Sequence, residues 1–143
     1  MRIGGTPCRI TPIGGLAVLL LNKTGGASVA GELVQASTTT DFAVEQADAD
    51  GVQAIGAFLD DGVPDASWAW VVVSGICDVM LEDATAATHG NWVQVSGTAG
   101  RADATNSPPS PASTNAHFTE IGHCIQSAGA GADVKARIIM HFL

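Results

Sequence analysis

Tyrosine is absent from this sequence, and lysine and arginine together number six in 143 residues. None of the six lies between Thr24 and Gly100. A nucleic-acid binder needs clustered cations to displace condensed counterions, so this middle segment excludes itself from a phosphate backbone. It carries eleven acids instead: Glu32, Asp41, Glu45, Asp48, Asp50, Asp60, Asp61, Asp65, Asp78, Glu82 and Asp83. They give the chain its net charge of −8 and read as a solvated acidic face. Three cysteines, Cys8, Cys77 and Cys124, without a CxxC spacing, exclude a disulfide framework. Cys77 and Cys124 stand in apolar runs and read as core thiols. Long apolar runs are missing too. Leu16–Leu21 and Ser67–Leu81 both fall short of the ~20 residues a membrane-spanning helix needs. Arg2 is not followed by a long apolar segment, so the N-terminus does not read as a secretory signal.

What is present is apolar, at 46% of residues against only 14% charged, so the chain folds and its surface relies on small neutral residues. A surface that bland fits a protein covered by partners in an assembly. The most apolar stretch, "SWAWVVVSGICDVML", has three consecutive valines, stiff at χ1 and suited to a pleated surface. Trp68 and Trp70 stand two apart, the period of one strand face. Two strand segments are expected, Ser67–Ser74 and Ile76–Leu81, broken at Gly75 and buried on both faces. Further strands are expected over Gly15–Asn22, Ser28–Ala36, Gln53–Leu59, Asn91–Ser96, Phe118–Gln126 and Val134–Leu143, with turn residues between most of them. "LEDATAATHG" has room for one helical turn before Gly90. The expected fold is all-β: a compact antiparallel barrel or sandwich over 14–143, with a loop insertion at 107–113, "SPPSPAS", too proline-rich for a central strand. Residues 1–13 read as an extended N-terminal arm, able to reach roughly 40 Å if fully extended.

The sequence also echoes itself. "GELVQAS" from Gly31 matches "GNWVQVS" from Gly90, and "AIGAFLDDG" from Ala54 matches "EIGHCIQSAG" from Glu120. A long apolar strand follows each: "WVVVSG", then "ARIIMHF". The spacing from Gly31 to Ile55 is 24 residues and from Gly90 to Ile121 it is 31, a difference matched by "SPPSPAS". Two similar β-units within one domain are therefore an open expectation.

No catalytic constellation emerges. "GGASVAGE" lacks the Lys–Ser/Thr of a phosphate loop, and "VVSGIC" is not a nucleophile elbow. "DADG" at Asp48–Gly51 opens like a calcium loop but meets Val52 and Leu59 where oxygen ligands are required. The histidines are His89, His117, His123 and His141. On one strand His117 and His123 would stand ~20 Å apart, and a zinc site would need a neighbouring strand to bring His141 or Cys77 close. From sequence, then, no metal and no cofactor is expected. A sugar-binding platform would have to use Trp68, Trp70 and Trp92, two of which fall in core-like runs.

The stretch "SGICDVMLEDATAATHGNWVQVSGTAGRADA", with "HFTEIGHCIQS" and the terminal "ARIIMHFL", resembles small virion proteins of tailed bacteriophages. The nearest family is the head decoration, or cement, proteins. The similarity covers about Gly31 to Leu143. It implies a β-rich, often trimeric domain on the outer surface of an icosahedral shell, bridging neighbouring major capsid subunits. No catalytic residue is carried over, and neither nucleic acid nor membrane is an expected partner. An arm that adds a strand to a neighbour, or lies in its groove, suits that role. The residues expected to contact the capsid or a neighbour are Arg2, Ile3, Pro7, Arg9, Ile10 and Pro12. The alternative reading is the base or attachment domain of a head fibre or tail appendage, or a glycan-binding module.

Overall fold

The computed structural model describes residues 7–108 and 118–141. The fold is all-β, as expected, with ten strands among the described residues. These are β1 (Cys8–Ile10), β2 (Gly15–Asn22), β3 (Leu33–Ala36), β4 (Ala43–Gln46), β5 (Ala54–Phe58), β6 (Trp68–Met80), β7 (Trp92–Val95), β8 (Ala102–Thr105), β9 (Glu120–Gln126) and β10 (Lys135–Met140). Strands β2, β4, β3, β5 and β6 pair in that order and close back on β2, making a five-stranded barrel. The barrel is not wholly antiparallel as expected: the β2–β4 pair is parallel, and the rest are antiparallel.

The tryptophan–valine stretch is one continuous strand, not two. β6 runs straight through Gly75 and changes partners there. Its first half pairs with β2 and β5, its second half with β10. Gly75 holds φ at 80°, and a Cβ there would lie 2.6 Å from the Gly14 carbonyl oxygen, so only glycine passes the crossing. Burial on both faces holds at Val71 and Val72, whereas Ser74 at the crossing is exposed. The helical turn before Gly90 is also absent: Glu82–Gly90 is turns and one bridge, Ala87 to Ala128. Strand β3 is shorter than expected, because the chain from Ser28 is held by loop contacts; the Ser28 hydroxyl donates to the Asp60 carbonyl and accepts from the Val63 N–H.

The second half repeats the first. Beyond Gly75, β6 pairs with β10, β10 with β9, β9 with β7 and β7 with β8. A parallel bridge, Leu81 to Ala102, brings β8 back to the end of β6, in the place of the β2–β4 closure. The correspondence extends to single bonds. Gly31 N–H donates to Phe58 O and Gly90 N–H to Cys124 O, both at 2.8 Å. Phe58 N–H donates to Glu32 O, and Cys124 N–H to Asn91 O. The β3–β5 pairing shifts register between Val34 and Gln35, and β7–β9 shifts between Val93 and Gln94. Gly31 and Gly90 share a left-handed φ, 88° and 87°.

The first barrel encloses Val34, Val44, Phe58, Ala69 and Val71. Their counterparts Val93, Ala102, Cys124, Ala136 and Ile138 belong to a larger cluster. That cluster also takes in Ala17, Leu33, Ala57 and Val72, which lie on the other face of the first unit's strands. One face of the first unit is thus buried in a core shared with the second. Cys77 and Cys124 are core thiols, and burial, with the adjacent Asp78 carboxylate, pushes the Cys77 thiol up to about 12.

Candidate functional site

The expected arm is placed from Pro7 onward. Cys8–Ile10 pair antiparallel with β2, Arg9 opposite Ala17 and Ile10 opposite Leu16. The Thr11 hydroxyl, buried, accepts from the Gly15 N–H at 2.9 Å and sets the turn between the strands. The arm therefore adds a strand to its own barrel. Arg9 does not project as a lone cation: its guanidinium sits 4.5 Å from the Trp70 ring centroid. Ile10, at 72% exposure, and Pro12 face outward. Arg2 and Ile3 lie outside the described residues, as does the "SPPSPAS" loop beyond Pro108.

The tryptophans are less buried than their sequence context implies. Alternation along β6 sends Ala69 and Val71 into the barrel and leaves Trp68 (41% exposed) and Trp70 outside. Trp92 lies on the second unit, against the ring of His123 at 4.4 Å between centroids.

Strand pairing also brings together side chains that are distant in sequence. On β9, His123 stands opposite Trp92 of β7 and Ile139 of β10, and the His141 N–H donates to Ile121 O just past the end of β10. The register shift in β7–β9 places Glu120 opposite Gln94. Glu120 Oε1 then lies 3.3 Å from His141 Nε2 and 3.7 Å from His123 Nε2. The two imidazoles are 5.1 Å apart between centroids. The Glu120 side chain is only 2% exposed, and its Oε1 makes no hydrogen bond of acceptable geometry despite the nearby ring nitrogens. The neighbouring strand that a zinc site required is thus present for His141. Cys77 stays in the core, and His117 lies outside the described residues. Sequence reasoning missed Glu120, because its side-chain direction depends on the register shift.

Polar contacts brace the second unit. Arg101 donates to Leu81 O (3.0 Å), Asp83 Oδ1 (3.1 Å) and Asp133 Oδ1 (2.7 Å), tying the second barrel's closing bridge to two loops. Across β6–β10, Arg137 grips Asp78 through both carboxylate oxygens, at 3.0 and 3.1 Å. That hydrogen-bonded ion pair raises the Arg137 pKa. Glu32 lies near Arg101, and burial pushes its carboxyl up against the opposing pull of Gln46 and Arg101.

No protein-family model matches the sequence, and no curated protein does. The fold does have a solved counterpart. The chain is similar to the head fiber gp8.5 N base of bacteriophage phi29, with a TM-score of 0.56 at 16% identity. The alignment covers 89% of this chain and 96% of that one, so the likeness extends over nearly the whole of both and shows a shared β architecture.

Proposed function

We propose that this chain is a structural, non-enzymatic protein of a phage head, serving as the base domain that seats an appendage on the outer surface of the capsid. The observation that carries this reading is the near end-to-end match to a head fibre base. Among the readings from sequence (capsid cement, the base of a head fibre or tail appendage, a glycan-binding module), the fold likeness favours the head fibre base. Cementing is a separate property: it requires that the bound chain hold neighbouring major capsid subunits together.

The partner in this reading is the major capsid protein, and the chain acts as a homotrimer. Self-association has support in the repeat. Ala17, Leu33, Ala57 and Val72 of the first unit are buried in the core shared with the second. The equivalent positions of the second unit are Ile76, Trp92, His123 and Ile139, and all are partly or well exposed, Ile139 at 45%. A second copy seated on that face repeats the contact the chain already makes within itself. Such a head-to-tail contact closes into a ring when the rotation between copies allows.

The test is to mix purified full-length chain with expanded shells, image them by electron microscopy and measure the mass of the free protein by light scattering. Three chains per free particle and density on the outer shell surface are expected. Shells that stay bare at saturating protein would overturn the capsid seat. Greater resistance of decorated shells to heat would add cementing; unchanged resistance would leave the appendage base alone.

A further inference from the structure

We propose that Glu120, His123 and His141 form a binding site for a single zinc ion. A carboxylate oxygen and two imidazole nitrogens are the donors that suit a borderline divalent transition ion, whereas magnesium and calcium favour oxygen alone. Ligands bound at ~2.1 Å in a tetrahedron stand about 3.4 Å apart. The two separations from Glu120 Oε1, 3.3 and 3.7 Å, bracket that value, and all three donor atoms lie within 4.8 Å of one another. Closing the longest separation takes modest rotation of imidazoles whose side chains are 34% and 37% exposed. In a single chain that exposure leaves a fourth coordination position accessible to water.

Two further observations point to a ligand. Glu120 is the sole buried side chain among the described residues with an oxygen that lacks a hydrogen-bond partner. A buried carboxylate oxygen left without a partner is costly, and a cation there removes the cost. The repeat supplies the second. Ala54, Ala57 and Ser74 occupy the positions of Glu120, His123 and His141 in the first unit, by strand register and chain order. The first barrel closes without these donors, so the shared fold does not require them. Trp92 packs on the His123 ring and restrains its orientation.

The experiment strips the full-length protein with a chelator and titrates zinc chloride by calorimetry, with magnesium and calcium chlorides as controls. Thermal melts follow each addition. The comparison variant, Glu120→Ala/His123→Ala/His141→Ser, installs the first unit's residues. One zinc per wild-type chain, none in the variant and no response to the control cations are expected. At zinc a hundredfold above its dissociation constant, the wild-type folding equilibrium shifts by about a hundredfold. Absence of saturable zinc binding to the wild type overturns the proposal. So does binding that persists in the variant, which would place the ion elsewhere, for example at exposed Cys8. If the triple variant fails to fold, His123→Ala and His141→Ser separately decide: each must weaken zinc binding, and unchanged affinity in both rejects the site.

Discussion

Single side chains in this protein act mainly by where burial puts them. Glu32 is half-buried beside Gln46 and Arg101, and desolvation raises its carboxyl above the ordinary 4.5. A carboxyl whose folded-state pKa lies above its unfolded one adds stability below the unfolded value. It loses that contribution as pH rises through the folded value. Glu32→Gln is therefore expected to be more stable than wild type near neutrality, with the advantage gone at about pH 4. Urea unfolding at both pH values checks it, and a variant less stable than wild type at neutral pH rejects it. Residue chemistry was only partly legible beforehand. The buried character of Cys77 and Cys124 followed from their apolar neighbours. The partner of Arg9 did not, because Trp70 meets it only once β1 folds back on β2.

At the level of strands, close approach decides what is tolerated. Gly56 on β5 and Gly122 on β9 occupy equivalent places in the two units. A Cβ on Gly56 would stand 2.3 Å from Val72 O, and one on Gly122 2.1 Å from Ile139 O. Both clashes are with backbone of the adjoining strand, which cannot rotate away. Gly56→Ala and Gly122→Ala should each destabilise by about 2–3 kcal/mol, as overpacked interiors do. Chemical denaturation measures this, and a loss below ~0.5 kcal/mol at either site contradicts the close approach. The strands legible in the sequence were those with β-branched or alternating runs, such as "GLAVLLLN" and "NWVQV". Strands β4 ("AVEQ") and β8 ("ADAT") were not, since each is four residues long with little β propensity of its own. Pairing on both sides makes them strands: β4 lies between β2 and β3, and β8 between β7 and the Leu81 bridge. The Glu120–His123–His141 cluster was hidden for a related reason, because its members meet only through the register of β9, β10 and β7.

Across the whole molecule, the two units share both a strand and a core, so they should unfold together. The tryptophans report on each: Trp68 and Trp70 on the first unit, Trp92 on the second. Melting of Trp92→Phe followed through Trp68 and Trp70 should show one transition. Its midpoint should match that of the same variant's circular dichroism, which reports all strands. Distinct midpoints would mean that the barrels melt separately. The repeat was audible in the sequence as short echoes, and the matching register shifts and hydrogen bonds turn those echoes into architecture. β6 gives it a mechanical consequence. The last strand of one barrel is the first strand of the other, without a linker at Gly75. A shear load applied to either unit passes to the other along an unbroken peptide backbone, so the two are expected to resist bending as one block.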